Sequence, residues 1–206
     1  MKKQALVIVG NEGLSREFVA FFAADKKLEI VGFCGLEENK ITDYYGRFLG
    51  TSVSPKESGT QDAVIAVANP ILKRKLFLEF KALGYNFPTF IHNTSVISQT
   101  STISEGCIIA PNCIVGPEVV IEQHVVLNFG CGLGHDVVVG EFTSINPGVQ
   151  IGGHTKLGKN CLVGSGTTIV HKQTTGNNCK VASGSAVFSK IPDNSTFIGN
   201  PARKCF

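Results

Sequence analysis

The chain has 206 residues, of which 43% are hydrophobic and 17% charged, and its formal net charge at pH 7 is +3. This length provides core material for one large domain or two small ones. No apolar run approaches the roughly twenty residues that a membrane-spanning helix needs. The sequence therefore excludes a transmembrane segment and predicts a cytoplasmic protein.

Strand and helix patterns alternate over the first part of the chain. Short apolar runs and helical patterns predict strands over 5–9, 28–34 and 63–68 and helices over 16–24 and 71–83. Strands that alternate with helices predict a small Rossmann-like α/β domain, which we place over residues 1–90.

A glycine-containing turn follows the first predicted strand. It reads Gly10-Asn11-Glu12-Gly13 and precedes the first predicted helix. Glycines let the backbone approach a ligand closely, and the amino terminus of a helix presents free N–H groups. This order therefore favours a phosphate-binding turn. The two glycines do not have the G-x-G-x-x-G spacing that marks dinucleotide-binding turns.

A six-residue repeat dominates the rest of the chain. Of the sixteen positions spaced six apart from Ile97 to Val187, fifteen hold Ile, Leu or Val and one holds Thr175. Composition alone would give about four such residues. The residue four positions after each aliphatic is mostly Ser, Thr, Val or Cys. Short strands joined by regular corners, with three hexads in each coil, predict a triangular solenoid over residues 91–192.

Cysteine usage follows the same repeat. Five of the seven cysteines occupy the small position of the hexads, which predicts small buried apolar fillers and not disulfides or metal ligands. The other two, Cys34 and Cys205, form no C-x-x-C pair, and we expect no metal. The five repeat cysteines are Cys107, Cys113, Cys131, Cys161 and Cys179.

Charge is distributed unevenly along the repeat. Residues 91–150 contain five acidic and no basic residues, whereas residues 151–206 contain seven basic residues and one acidic residue. The basic half fits a solvated surface and, equally well, a binding site for a phosphate-rich ligand such as coenzyme A. No aromatic residues alternate with the lysines, which disfavours a nucleic-acid partner.

Over about residues 91–206 the chain resembles the hexapeptide-repeat acyltransferases, which have a left-handed β-helix. With the α/β segment in front, it is similar to the nucleotide-sugar acetyltransferases of bacterial surface-glycan pathways. These include N-acetyltransferases of 4-amino sugars and relatives that O-acetylate sialic acid. The segments that carry the resemblance are the turn at Gly10, the strand end Ala66-Val67-Ala68-Asn69, the junction Ile91-His92 and the closing Gly199-Asn200-Pro201-Ala202-Arg203.

The resemblance implies a homotrimer that uses acetyl-CoA as cosubstrate and no metal. It also implies that the small domain holds the nucleotide of a nucleotide-sugar substrate, and that pantetheine lies along corners of the later coils between subunits. The implied substrate-binding residues are Gly10, Asn11, Glu12, Gly13 and Asn69. The implied cofactor-binding residues are Gly153, Ser165, Ser183, Gly199, Pro201 and Arg203, the last three in a carboxy-terminal extension over 193–206 that contacts CoA.

Several positions depart from the family pattern. Leu14 stands where relatives carry His, and Ser15 stands where they carry Gly. Cys34 and Gly35 occupy the place of an acidic pair, and Ser144 replaces a second His of some amino-sugar acetylating relatives. These departures leave the nucleotide, the sugar and the acyl group open.

His135 is the candidate catalytic base. Its segment is similar to that of the family, in which an Asn, here Asn128, precedes the base by seven residues and an acid, here Asp136, follows it. An imidazole has an unperturbed pKa of about 6.5, so its neutral form is available at pH 7 to take a proton from an amine or hydroxyl. Asp136 is expected to orient the ring. That pairing requires corner geometry, because adjacent residues of a strand point in opposite directions.

Stacking by eighteen residues identifies further candidates. Gly153 lies one coil beyond His135, and its N–H is expected to stabilise the oxyanion of a tetrahedral intermediate. A tight corner alone would also explain this glycine. Asn128 and Asn146 are likewise one coil apart, and they are expected to form a polar ledge for the sugar.

The predicted activity is acetyl transfer from acetyl-CoA to the amino group of a nucleotide-linked sugar of the 4-amino-4,6-dideoxy type. O-acetylation of sialic acid or another sugar hydroxyl is the alternative. A zinc-dependent carbonic anhydrase is disfavoured, because His135 and His171 lack the further His that this class needs at the position of Gly176. A noncatalytic scaffold protein stays open, since a fold does not fix an activity.

Overall fold

The computed structural model describes residues 3–10, 12–23, 28–35 and 47–205. The chain divides into two compact units, Met1–Pro88 and Thr89–Phe206. Asn11, which the sequence predicts to contact substrate, lies outside the described residues. Among the helices that the structure describes, none has the length and apolar character needed to cross a membrane.

The first unit contains a parallel sheet of three strands, with helices following the first and third strands in the chain. Its described elements are β1 (Gln4–Val9), α1 (Gly13–Phe22), β2 (Leu28–Cys34), α2 (Pro55–Ser58), β3 (Ala63–Ile65) and α3 (Pro70–Ala82). The central strand β1 is hydrogen-bonded to β2 on one side and to β3 on the other. The core of this unit includes Phe18, Phe33 and Phe80, which are fully buried.

The observed elements differ from the predicted ones at their ends. Helix α1 begins at Gly13, ahead of the predicted start at residue 16, and β3 ends at Ile65, ahead of the predicted end at 68. Helix α3 follows Asn69, whose Oδ1 accepts hydrogen bonds from the N–H groups of Ile71 and Leu72 at 3.0 and 3.1 Å. Asn is among the favoured residues at this capping position, which explains where the helix starts.

The hydrophobic pattern of the sequence does not predict the short helix α2. Its first turn is a capping box, in which Ser54 Oγ accepts from Glu57 N at 3.4 Å and Glu57 Oε2 accepts from Ser54 N at 2.9 Å. The hydrogen bonds from Ser54 hold the pKa of the Glu57 carboxyl below its usual range. The Ser-Pro-Lys-Glu order of residues 54–57 was the available signal.

The second unit is a solenoid of short parallel strands. Strands one coil apart pair with each other, so that the strands form three sheets, one on each face of the coil. The first sheet contains β4 (Phe90–Ile91), β7 (Ile108–Ile109), β10 (Val126–Leu127), β13 (Ser144–Ile145), β16 (Leu162–Val163), β18 (Lys180–Val181), β20 (Thr196–Gly199) and β21 (Ala202–Lys204). The second contains β5 (Val96–Ile97), β8 (Ile114–Val115), β11 (Gly132–Leu133), β14 (Gln150–Ile151), β17 (Thr168–Ile169) and β19 (Ala186–Val187). The third contains β6 (Thr102–Ile103), β9 (Val120–Ile121), β12 (Val138–Val139) and β15 (Lys156–Leu157).

The aliphatic residues of the hexads form the solenoid core. Each stacks on its equivalent eighteen residues away, as Leu127 does on Ile145. The hexad residues are buried throughout the repeat except for Ile97 and Ile103 in the first coil, which are partly buried. Burial of one large side chain per hexad is what the six-residue period predicts.

The small positions of the hexads do more than fill space. Cys113 Sγ lies 3.2 Å from the carbonyl oxygen of Asn128, and Thr143 Oγ1 lies 2.8 Å from that of Gly158. In both pairs the acceptor lies fifteen residues ahead, so one side-chain hydrogen bond ties each such coil to the next. All five repeat cysteines are buried and free, which confirms their burial, and they also donate hydrogen bonds. Burial raises the pKa of the Cys161 thiol to about 11.

The final coil is shorter than the others. Thr175 pairs with Ile191 and Val181 pairs with Phe197, sixteen residues on in both cases. Two residues are therefore missing from this coil, which explains why the six-residue period stops after Val187. The chain then closes with a hairpin in which β20 and β21 run antiparallel.

Candidate active site

One corner of the solenoid carries a left-handed, non-glycine residue in four successive coils. The corner lies between the second and third sheets, and the backbone φ angles there are 57°, 59°, 58° and 60°. Few residues with a side chain adopt this conformation, although Asp, Asn and His tolerate it better than most. The four residues are Glu118, Asp136, His154 and Lys172.

His135 and Asp136 meet at this corner. His135 Nδ1 lies 2.8 Å from Asp136 Oδ2, because the left-handed backbone of Asp136 takes the pair out of extended strand geometry. A carboxylate can only accept a hydrogen bond, so it favours the tautomer with the proton on Nδ1 and the lone pair on Nε2. The His135 and Asp136 side chains are 57% and 44% exposed, so a ligand can reach the ring.

Gly153 lies against the other nitrogen of the His135 ring. A Cβ atom at this position would lie 2.7 Å from His135 Nε2, which is closer than real side chains approach. The carbonyl of Gly153 accepts a hydrogen bond from Lys172 N at 2.9 Å, which fixes the peptide between Gly153 and His154. The candidate oxyanion residue is thus beside the nitrogen that would take up a proton.

His154 joins the pair, and sequence reasoning missed it. Its Nδ1 lies 3.6 Å from Asp136 Oδ2, and its ring packs edge to face against that of His135 with 4.8 Å between centroids. His154 follows Asp136 by eighteen residues, so the stacking that identified Gly153 would also have identified His154. In the described part of the chain, these three residues form a group whose nitrogen and carboxylate ligand atoms all lie within 4.8 Å of one another.

A shallow groove on the second sheet adjoins this corner. It has a volume of about 460 Å³ and is lined largely by apolar side chains and bare backbone. Two of its lining glycines allow successive coils to pack closely: a Cβ on Gly134 would lie 2.7 Å from the backbone nitrogen of Gly153, and a Cβ on Gly152 would lie 2.5 Å from that of His171. Gly134, which lines the groove, directly precedes His135, so the groove lies close to the ring.

The predicted sugar ledge lies at another corner of the coil. Asn128 and Asn146 follow paired strands of the first sheet, so they stack as predicted, but His135 follows a strand of the second sheet. Asn128 is buried, and its Oδ1 accepts a hydrogen bond from Phe129 N at 2.8 Å. Within one chain the structure does not bring the asparagines to the corner of His135.

Ser165 and Ser183 are stacked one coil apart at the corner that follows the first sheet. Both are exposed, and the carbonyl of Ser165 accepts a hydrogen bond from Gly184 N at 2.8 Å. Three further candidates lie in or beside the closing hairpin, where they are also exposed: Gly199, Pro201 and Arg203.

The first unit has a cavity of about 210 Å³ at the predicted phosphate-binding turn. Gly10, Glu12 and Gly13 are among its lining residues, together with the backbone that follows β3. Gly10 has φ 123°, and a Cβ there would lie 2.6 Å from the carbonyl oxygen of Ala66, so only glycine fits. Ser15 Oγ donates to the same oxygen at 3.1 Å. Asn69 instead caps α3.

Comparison with known proteins agrees with this fold. A family profile described as "Bacterial transferase hexapeptide (six repeats)" matches residues 136–171. The matched residues lie within the solenoid. The predicted left-handed β-helix is thereby confirmed, with about six turns. No curated protein sequence matches the chain.

Solved structures match both units of the chain. The acetyltransferase domain of PglB from Neisseria gonorrhoeae FA1090, in complex with acetyl coenzyme A, is 25% identical, with a TM-score of 0.89 over 98% of this chain and 100% of that chain. A mutant of GDP-perosamine N-acetyl transferase from Caulobacter crescentus, in complex with CoA and GDP-perosamine, is 20% identical, with a TM-score of 0.90 over 98% and 97%. WeeI from Acinetobacter baumannii AYE is 17% identical, with a TM-score of 0.64 over 98% and 100%.

Proposed function

We propose that the protein transfers an acetyl group from acetyl-CoA to the amino group of a nucleotide-linked amino sugar of the 4-amino-4,6-dideoxy type in bacterial surface-glycan biosynthesis. The observation that carries the proposal is the His135–Asp136 pair, held with His135 Nε2 beside Gly153. The PglB acetyltransferase domain, which was solved with acetyl coenzyme A, shares the fold over the whole of its length.

His135 is the general base in this proposal. Asp136 accepts a hydrogen bond from Nδ1 and keeps the lone pair on Nε2, the ring nitrogen beside Gly153. As the neutral amine of the sugar attacks the thioester carbon, Nε2 takes one amine proton. The tetrahedral intermediate then collapses, the carbon–sulfur bond breaks, and the imidazolium returns the proton to the departing thiolate. The products are the acetylated amine and CoA.

Gly153 supplies the oxyanion contact in this proposal. The carbonyl oxygen of the thioester gains negative charge in the tetrahedral intermediate, and a backbone N–H stabilises such charge when it is fixed in place beforehand. The peptides on either side of this N–H are held in the coil ladder: Gly152 N donates to the Ile169 carbonyl at 2.8 Å, and the Gly153 carbonyl accepts from Lys172 N at 2.9 Å. The adjacent groove, lined in part by Gly134 and Gly152, receives the acetyl and pantetheine groups.

The basic coils hold the phosphates of acetyl-CoA. Lys172, Lys180 and Lys190 are exposed, and no acidic residue other than Asp193 occurs after residue 150. Such a one-sided field attracts the pyrophosphate and 3′-phosphate. We assign the remaining CoA contacts to Ser165, Ser183, Gly199, Pro201 and Arg203.

We further propose that the active enzyme is a homotrimer. His135 and the candidate contacts Asn128, Asn146, Ser165 and Ser183 follow strands of different sheets. One chain therefore presents the base at one corner and these polar contacts at another. Contact between corners of neighbouring subunits would complete the site.

The nucleotide is assigned to the first unit, as a Rossmann-like nucleotide-binding domain over residues 1–90. The turn at Gly10 and Gly13 precedes the amino terminus of α1, and a cavity adjoins it. Asn11 and Glu12 complete the turn. A nucleotide-linked amino sugar is the chosen substrate because a relative with this fold was solved with GDP-perosamine.

A panel of acceptors tests the proposal. Purified enzyme with acetyl-CoA is expected to acetylate a 4-amino nucleotide sugar, and mass spectrometry is expected to locate the acetyl group on nitrogen. Free sialic acid and the 4-hydroxy analogue of the same nucleotide sugar serve as matched hydroxyl acceptors. Preference for a hydroxyl acceptor would replace N-acetylation by O-acetylation, and absence of acetyl-CoA binding by calorimetry would refute both.

A further inference from the structure

The group of His135, Asp136 and His154 has the arrangement of a metal site. Asp136 Oδ2 lies 2.8 Å from one imidazole Nδ1 and 3.6 Å from the other. All three ligand atoms lie within 4.8 Å of one another. Tetrahedral Zn²⁺ with bonds of about 2.0–2.1 Å places its ligands roughly 3.3 Å apart, so small side-chain rotations suffice to close the site.

We propose that these three side chains bind Zn²⁺ and that the bound ion inhibits acetyl transfer. Imidazole nitrogen and carboxylate oxygen suit Zn²⁺ and its first-row neighbours, whereas Mg²⁺ prefers oxygen ligands in an octahedral arrangement. The side chains are between 44% and 57% exposed, so the ion can enter from solvent and keep water as its fourth ligand.

The backbone holds the ligands in place before an ion arrives. Asp136 and His154 occupy equivalent left-handed positions of successive coils, with φ 59° and 58°. His154 N donates to the carbonyl of His135 at 2.9 Å, and Asp136 N donates to that of Pro117 at 3.0 Å. The coil ladder therefore fixes the spacing, so binding orders only side-chain rotamers and leaves the backbone unchanged.

Zinc is expected to inhibit acetyl transfer because it binds His135 through Nδ1. A neutral imidazole has one nitrogen lone pair, and zinc bound at His135 Nδ1 would occupy it. The ring proton then resides on Nε2, which faces Gly153, and Nε2 no longer accepts a proton from the acceptor amine. Zinc would also neutralise the carboxylate of Asp136. The effect on turnover rests on the proposed function, whereas binding of zinc does not.

Calorimetric titration with ZnCl₂ tests binding directly. Cys205 is exposed and could bind zinc by itself, so every protein carries Cys205→Ser. We expect one zinc ion per chain in this parent protein and a Kd at least tenfold weaker in His154→Asn. Asn suits the left-handed backbone of residue 154 but removes the imidazole. The matched control is His171→Asn at a neighbouring corner position, for which the Kd is expected to stay within twofold of the parent.

Acetyl-transfer rates test the consequence. Zinc at saturating concentration is expected to slow the parent at least tenfold, EDTA is expected to restore the rate, and Mg²⁺ is expected to have no effect. Relative to its own rate without zinc, His154→Asn is expected to need at least tenfold more zinc than the parent for the same fractional inhibition. Rates are followed as loss of acetyl-CoA, because the thiol of product CoA binds zinc.

Two outcomes would overturn the proposal. Equal zinc affinity in the parent and His154→Asn would exclude the site, and zinc binding without a change in turnover would exclude its inhibitory effect. A parent protein that transfers no acetyl group would refute the proposed function instead. The calorimetric comparison would still decide whether the metal site exists.

Discussion

The two units present their candidate functional residues in different ways. In the solenoid every position recurs in neighbouring coils, so that His135 has equivalents at Gly153 and His171. In the α/β unit each element occurs once, and the turn at Gly10 and the cap at Asn69 have no equivalent. A solenoid residue can therefore be tested against a matched position of the same chain. A residue of the α/β unit needs separate assays of folding and of binding.

Replacement of the proposed base gives the largest expected effect. His135→Ala is expected to lower kcat about 10²–10⁴-fold, the usual contribution of a positioned general base, while the far-ultraviolet circular dichroism stays unchanged. His171→Ala alters the same corner position two coils later and is expected to keep kcat within about twofold. A kcat of His135→Ala within fivefold of the wild type would show that His135 is no more important than His171, and it would refute the proposed mechanism.

The partner of the base gives a smaller effect. Asp136→Asn keeps a residue that tolerates φ 59° but weakens the acceptor at His135 Nδ1, so a roughly tenfold loss of kcat is expected. Glu118→Gln makes the same chemical change one coil earlier at the same left-handed corner. Steady-state kinetics measure kcat for both variants. Equal losses of kcat in the two variants, or no loss in either, would show that Asp136 does not assist the base.

The solenoid could be predicted from the sequence almost completely, because one physical rule repeats. A large aliphatic every six residues sets the strands and faces, and the shortened last coil appears in the sequence as the end of that period after Val187. The six-residue period alone does not predict the pairing of His135 with Asp136, because that pairing depends on the left-handed backbone of Asp136. The eighteen-residue stacking that relates Gly153 to His135 also relates His154 to Asp136.

The α/β unit was less predictable because local interactions decide its element ends. Its strands and the two longer helices follow hydrophobic patterns, yet Asn69 and the Ser54–Glu57 box fix where α3 and α2 begin. The departure at Ser15 also has a local explanation. Its hydroxyl donates to Ala66, which links α1 to the end of β3.

The side-chain hydrogen bonds between coils give the next largest expected effect, which is on stability. Thr143 Oγ1 donates to the Gly158 carbonyl at 2.8 Å and accepts from Cys161 N at 3.0 Å. Thr143→Val keeps the shape but leaves the Gly158 carbonyl and the buried Cys161 N–H without this partner, so the free energy of unfolding is expected to fall by about 1–3 kcal/mol. Denaturant unfolding followed by circular dichroism measures this loss.

Thr167→Val is the matched control for the coil hydrogen bonds. Thr167 Oγ1 donates to the Ala182 carbonyl at 3.1 Å in the same manner. Thr143 differs because its Oγ1 also accepts a hydrogen bond from Cys161 N. The Thr167 variant is therefore expected to lose less stability than the Thr143 variant. A larger loss of unfolding free energy in Thr167→Val than in Thr143→Val would show that these hydrogen bonds do not determine the stability contributed by equivalent positions.

Asn69 gives the smallest expected effect and tests the α/β unit, where no equivalent position exists. Its Oδ1 caps α3 through two backbone N–H groups, so a substrate contact has to come from its amide nitrogen. Asn69→Ala is expected to lower the free energy of unfolding by about 1 kcal/mol. Asn69→Asp keeps a capping oxygen, so it is expected to retain stability. It is expected to raise the KM for the nucleotide sugar several-fold, because it replaces the donor with a negative charge that repels phosphate. An unchanged KM in Asn69→Asp would assign this residue to the helix alone, and would leave the turn at Gly10 as the recognition element of the unit.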